Sequence, residues 1–261
     1  MRNLRSTSVY YFLFWIVYFI FARLFFLVYY FEKSQDLGLT TTIKTFFYGL
    51  QLDASFAAYI SFVPFLLICS SIIIEAKIIF KIIKWYTILV LLFINLMLLI
   101  DAGLYQAWGV RVDTSLLPYL NTPQLMISSA STFQLISGGL SWILISYTFI
   151  KLFEKIQNKN SKKINFGSWL EIPLFLLITA ALIIPLRGGF QTIPVNQSNV
   201  YFSNKMFANH ASVNFIWNFF NTLTHKSDGT NLYKYFDDDT AINIINKTKN
   251  GFVFKFLILI T

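Results

Sequence analysis

Two histidines, His210 and His225, and one cysteine, Cys69, are all the imidazole and thiol this chain offers. With no cysteine or acidic partner at ligand spacing, the two imidazoles do not specify a metal site. Cys69 lies inside an apolar run, which excludes an intrachain disulfide and marks a buried, bland thiol. Asp237, Asp238 and Asp239 stand beside the hydroxyl of Thr240. Ahead of Ala-Ile-Asn-Ile-Ile, adjacent acids read better as charge at a helix N-terminus, where the helix dipole favours them. No catalytic group emerges. What remains is a set of arginines and aspartates, Arg23, Asp53, Asp101, Arg111, Asp113 and Arg187, and a polar stretch from Arg187 to Asn218. Guanidinium groups grip phosphate through paired N–H bonds, so this set suits holding a lipid headgroup, with the aspartates orienting the arginines.

The elements that must position these residues are membrane helices. Hydrophobic residues make up 56% of the 261, aromatics 19% and charged residues only 13%, too little polar material to cover a soluble domain of this size. The mean hydropathy is +0.60. The formal net charge of +9 is spread between apolar runs and forms no single stripe, which argues against nucleic acid. Five spans are expected: Val9 to Phe31, Ala54 to Ile74, Trp85 to about Trp108, Phe133 to Phe153 with Gly138-Gly139 permitting close helix contact, and Trp169 to Leu186. The first ends in an aromatic belt, Leu-Val-Tyr-Tyr-Phe, and has no small-residue cleavage site, so it reads as an anchor and not as a signal peptide.

Alternate connections carry very different numbers of cations. Arg2, Arg5, Lys77, Lys81, Lys84, Lys151, Lys155, Lys159, Lys162 and Lys163 fall on one side, against Lys33, Lys44 and Arg111 on the other. Positive connections stay inside, so the expected orientation is N-in/C-out, with everything after Arg187 extracytoplasmic. Asp53, Asp101, Arg111 and Asp113 then share the outer boundary with Arg187, and Arg23, in the outer half of the first span, is expected to snorkel outward or find a partner. They read either as interfacial charges, snorkelled or salt-bridged in pairs, or as a mixed-charge pocket for anionic lipid headgroups. Residues 113–132, with Pro118 and Pro123, are expected to lie on the outer surface as short amphipathic pieces or as a simple connecting loop.

At this point the residues carry a resemblance. The segment Asp101-Ala-Gly-Leu-Tyr-Gln-Ala-Trp-Gly-Val-Arg-Val-Asp, the motif Arg187-Gly-Gly-Phe-Gln-Thr-Ile-Pro, and Asn209-His-Ala-Ser-Val-Asn-Phe-Ile-Trp-Asn resemble the membrane half of bacterial lipoteichoic acid synthase-like proteins. These are phosphoglycerol transferases of the sulfatase and alkaline phosphatase superfamily. The resemblance covers roughly residues 8–240. It implies a bacterial cytoplasmic membrane location and an extracytoplasmic α/β catalytic domain, in which a threonine nucleophile and a divalent metal such as manganese move a phosphoglycerol-type headgroup from phospholipid to a cell-envelope glycan or polymer.

The expected organisation is therefore an all-α, five-helix transmembrane domain over residues 1–186 and an extracytoplasmic juxtamembrane linker over 187–240. Residues 241–261 would be the truncated start of a catalytic domain or an out-of-frame tail. The residues from Arg187 to Thr261 suffice for a linker and fall short of the α/β domain, so this chain is expected to lack the nucleophile and metal site and to be inactive alone. Asn196, Asn209, His210, Asn214 and Trp217 would dock the catalytic domain in cis or a partner enzyme. The rival readings are a stand-alone membrane scaffold or lipid-binding module for a partner enzyme, and a small transporter. The last is disfavoured because the charges gather at span ends.

Overall fold

A hydrocarbon layer offers the backbone no water, so apolar runs that cross it fold as helices, which satisfy their own N–H and C=O groups. The computed structural model describes residues 2–70, 74–122, 124, 131–161, 171–225, 239–240 and 242–248. Every regular element among the described residues is helical. In chain order they are α1 (Arg2–Tyr29), α2 (Phe31–Gln35), α3 (Leu39–Ser70), α4 (Ala76–Trp108), a 3-10 turn (Thr114–Leu116) running into α5 (Leu117–Leu120), and α6 (Thr132–Ser161). There follow α7 (Glu171–Ala181), α8 (Ile183–Arg187), a second 3-10 turn (Gln197–Val200), α9 (Met206–Ser212) and α10 (Phe215–Thr224).

Four of these, α1, α3, α4 and α6, are long and apolar enough to cross a membrane. The fifth expected span is a shorter apolar stretch, Phe175–Arg187, interrupted where α7 gives way to α8 at Leu182. Its expected start at Trp169 lies outside the described residues. The second helix begins at Leu39, well ahead of the expected Ala54. In its threonine-rich first turns the hydroxyls bond to carbonyls of the preceding turn, Thr42 to Gly38 O at 3.0 Å and Thr45 to Thr42 O at 2.7 Å, so they do not compete for the helix's backbone N–H groups. The third helix likewise starts early, at Ala76, and the fourth runs on to Ser161. Gly138 and Gly139 were expected to permit close helix packing, but a Cβ on either would meet open space. Of the surface stretch 113–132, α5 and the 3-10 turn are described, while 123 and 125–130 are not.

Polar side chains fix how the long helices register. Along α1 and α4, which run parallel, Tyr11 pairs with Thr87 at 3.0 Å, Tyr18 donates to Asn95 at 2.7 Å, and Tyr30 donates to Ala102 O at 2.5 Å. Asn95 passes the chain of bonds to Ser146 of α6 at 3.0 Å, and Gln157 of α6 donates to Phe80 O at 2.8 Å, which sets α6 antiparallel to α4. In an apolar medium such bonds are the specific part of helix association, because dispersion alone does not select a register. Around them Trp15, Tyr18 and Phe19 are fully buried, with Phe149 edge-on to Tyr18 at 4.9 Å between ring centres.

The chain forms two compact units, Met1–Thr224 and His225–Thr261. The first therefore includes the whole stretch from Arg187 to Thr224, expected as a linker, together with the long helices. In the second, residues 239–240 and 242–248 are helical, whereas Asp237, Asp238 and the apolar run 252–260 lie outside the described residues.

Because Asn95 is fully buried and serves both Tyr18 and Ser146, Asn95→Leu strands two hydroxyl partners. It is expected to lower stability by about 0.6–1.7 kcal/mol, the range for interhelical bonds in membranes. Thermal unfolding in detergent checks this; an unchanged transition would remove the register role assigned to Asn95.

Candidate functional site

The arginines and aspartates converge where α1 and α4 end and α3 begins. On α1, Arg23 stands opposite Gly49 of α3. A Cβ at Gly49 would fall within the space of the Arg23 guanidinium, so the missing side chain forms its socket. From there Arg23 Nη2 reaches Asp53 Oδ2 at 2.6 Å, and Nη1 donates to Ala211 O at 2.5 Å. The second carboxylate oxygen of Asp53 accepts from Asn214 Nδ2 at 2.8 Å.

A second pair lies beside the first. Gly109, with φ of +68°, ends α4 in a left-handed turn that doubles the chain back. Arg111 then pairs with Asp101: Nε donates to Oδ1 at 3.2 Å and Nη2 lies 2.9 Å from Oδ2 as an ion pair, while Val112 N donates to Oδ1 at 2.8 Å. The guanidinium stacks on Phe26, 3.9 Å from the ring centre, and its Nη1 points at His210 O, 3.4 Å away.

Sequence reasoning placed Asp53, Asp101 and Arg111 at an aqueous boundary and left Arg23 to snorkel or find a partner; the structure pairs the four and buries them, Arg23 at 4% exposure, Asp53 at 1%, Asp101 at 0% and Arg111 at 3%. The cause is the segment after Arg187, which folds down onto the helix ends as a cap. Asn209 organises the approach, accepting from Phe202 N and Ser203 N at 3.0 and 2.9 Å. His210 Nδ1 and Tyr105 Oη share a bond of 2.9 Å. Asn214 Oδ1 accepts from Trp217 N at 3.0 Å at the start of α10. Trp217 Nε1 donates to Ser55 Oγ at 3.2 Å, and that hydroxyl donates to Leu186 O at 2.9 Å. Asn218 donates to Val112 O at 3.0 Å, locking α10 to the backbone that carries Arg111.

The six residues suggested for a headgroup thus divide. Arg23, Asp53, Asp101 and Arg111 form one buried group of zero net charge. Asp113 stands apart, half-buried, accepting from Ser115 N at 2.8 Å and capping the 3-10 turn. Arg187 is exposed and donates to Thr192 O at 2.9 Å. Of the five residues suggested for docking, Asn209, His210, Asn214 and Trp217 are buried and spend their polar atoms inside the unit. Asn196 is exposed, and its side chain caps the second 3-10 turn. Sequence reasoning missed Gly49, Ser55, Phe26 and Tyr105. Only Gly49 carried a signal, as an isolated glycine in a helical pattern.

The chemistry of the group follows from its neutrality. Each carboxylate is already matched by a guanidinium, and the carbonyls of Ala211 and His210 take Nη1 of Arg23 and of Arg111. A divalent cation fits poorly: both buried carboxylates are spent on arginines, and the described residues hold no group of three His, Cys, Asp or Glu side chains that could ligate one. Burial, followed by the charge of Arg111, holds the His210 imidazole below its ordinary pKa, so it sits neutral against Tyr105. No protein-family model, curated protein or solved structure matches the chain.

Removing one partner of a buried pair leaves an uncompensated charge, so Asp53→Asn is expected to cost about 3–5 kcal/mol. Gly49→Ala, which drives the Arg23 guanidinium from its socket, acts in the same direction, and the double variant Arg23→Met/Asp53→Leu costs less than Asp53→Asn. Unfolding midpoints of the purified variants test this; a double variant worse than Asp53→Asn would contradict the pairing.

The sign for His210 is that of a base whose folded pKa is depressed. Its contribution is complete above its unfolded value of 6.5 and is lost as pH falls through the lower folded value. The unfolding temperature is expected to fall as pH is lowered from 6.5 towards the folded value, and to fall less in His210→Gln. Parallel pH profiles for the two proteins would refute the assignment.

Proposed function

We propose that this chain is the membrane-anchoring, lipid-presenting part of a lipoteichoic acid synthase-like transferase that moves a phosphoglycerol-type headgroup from phospholipid to a cell-envelope glycan or polymer. Its expected place is the bacterial cytoplasmic membrane, N-in/C-out. The observation that carries the reading is the cap. The stretch of the sequence with the strongest family likeness, Arg187 to Asn218, is bonded to the ends of α1, α3 and α4 through both ion pairs. A chain that leaves such a cap leaves from a rigid platform, which suits a catalytic domain that must stay at a fixed height above its lipid substrate.

The orientation rests on the distribution of lysines and arginines. Lys77, Lys81, Lys84, Lys151 and Lys155 lie toward one end of the bundle, where Lys84 and Lys151 flank Glu154 at 2.8 and 3.0 Å. The cap lies toward the other end, and positive-inside bias turns that end outward. The nucleophile and divalent metal of the family would come from an α/β domain; the helices would supply position and access to anionic lipid headgroups. Reading this unit instead as a stand-alone scaffold or lipid-binding module for a partner enzyme is favoured by one observation, that Met1–Thr224 forms a compact unit by itself.

Two measurements decide between these readings. A reporter inserted after Thr224 is expected to be active only outside the cytoplasm; activity restricted to the cytosol sinks the orientation. Cells without the chain are expected to lose labelled glycerol phosphate from an envelope polymer. Unchanged labelling rejects the transferase reading, and recovery of labelling by residues 1–224 alone favours the scaffold.

A further inference from the structure

The loop that joins α8 to the cap is both rigid and apolar at its tip. Val195 N closes it on Arg187 O at 2.9 Å, Arg187 Nη2 donates to Thr192 O at 2.9 Å, and Gln51 Nε2 ties Gly188 O to α3 at 2.8 Å. Gly188 and Gly189 turn it with φ of +79° and +132°, and Val195 packs so closely on Gly188 that a Cβ there would collide with it. A loop held this firmly does not fold its tip inward, and it presents Phe190 at 91% exposure and Ile193 at 69%.

The tip is not isolated. Gln51 belongs to the same helix as Leu39, Ile43, Phe47 and Leu50, which recur at helical spacing along one exposed stripe, Leu39 at 77% and Phe47 at 73%. Below the loop, α8 exposes Ile183 and Ile184, so the apolar surface of the helices runs on into the loop without a polar break at that edge. The charges along it are mostly of one sign. Residues 172–225 and 37–52 contain no Asp or Glu, exposed Lys44 lies on α3 between Ile43 and Phe47, and exposed Arg187 stands at the base of the loop; exposed Asp36 precedes the stripe at its Leu39 end. An apolar face rimmed by cations matches the headgroup and upper acyl region of an anionic leaflet.

We propose that the loop 187–195 and the stripe on α3 form a lipid-seated wedge, with Phe190 and Ile193 buried in the leaflet at the cap end and Arg187 and Lys44 at the level of its phosphates. The wedge sets the depth and tilt of the cap, and it does so whatever reaction the protein serves. The single cysteine makes the test direct. In a Cys69→Ser background, nitroxide labels at F190C, I193C and S198C are compared in nanodiscs of phosphatidylglycerol or phosphatidylcholine, with oxygen and a water-soluble nickel chelate as relaxants. The expected result is a ratio of oxygen to nickel accessibility several-fold higher at 190 and 193 than at exposed position 198, and lower in phosphatidylcholine. Each label reads the wedge independently, so I193C carries the test where F190C fails to fold. Nickel accessibility at 190 and 193 equal to that at 198 overturns the proposal. Shielding from both relaxants, the mark of a protein partner or second copy, overturns it too. An oxygen preference unaffected by headgroup charge removes the anionic leaflet from it.

Discussion

Two ion pairs buried side by side are the constraint from which the rest of the cap end follows. Taking charges out of water costs several kcal/mol per ion, and mutual attraction offsets this only when the remaining donors and lone pairs are satisfied as well. No single element does that here, and even the assembled group leaves Arg23 Nε and Asp101 Oδ2 without a hydrogen bond. Asp53 neutralises Arg23, but its second oxygen needs Asn214 and the arginine needs Ala211 O, both from a segment more than a hundred and fifty residues downstream. Stability of the helix ends and stability of the cap are therefore one quantity.

That dependence also explains the small residues. Gly49 is required because a guanidinium occupies the volume where its side chain would stand, and Gly109 because only a left-handed turn returns Arg111 to an aspartate on the helix just ended. The aromatic residues complete the enclosure. Phe26 lies under Arg111, and Phe26, Tyr30 and Phe207 crowd Tyr105, which holds His210. Lower in the bundle, α10 lays Phe220 against Phe56 and Phe93, 5.6 and 6.4 Å between ring centres. The segment after Arg187 is thus part of the helical core and not a strap across it.

Much of the helical framework was legible because its signal is local. Apolar runs such as Trp85 to Trp108 announce helices by composition alone. Helix ends were less legible, since the threonines of Leu39–Ser70 bond to their own helix and leave no mark of a boundary in composition. The six charges were singled out, and pairing was one reading of them, but which four would meet, and which aspartate each arginine would take, was not legible. Asp53 and Asn214 are remote in sequence, and nothing local distinguishes an aspartate that faces water from one that faces a buried arginine. Asn214 and Trp217 read as surface groups for the same reason: side chains that cap and bond inward have the composition of a linker.

Neutrality bears on how lipid could be engaged. A site built to hold a phosphate needs cationic charge in excess, and the buried group has none: two guanidiniums meet two carboxylates, and main-chain carbonyls take further N–H groups. Prising the cap open to admit a headgroup would uncover four charges at once in exchange for one phosphate contact, so the closed arrangement wins by a wide margin. Cations in excess occur instead around the cap, at Arg187, Lys44 and Lys205, where no acidic residue lies between positions 172 and 225 or between 37 and 52. On charge alone, the rim suits an anionic headgroup better than the buried pairs do, and the pairs tie the rim to the helices.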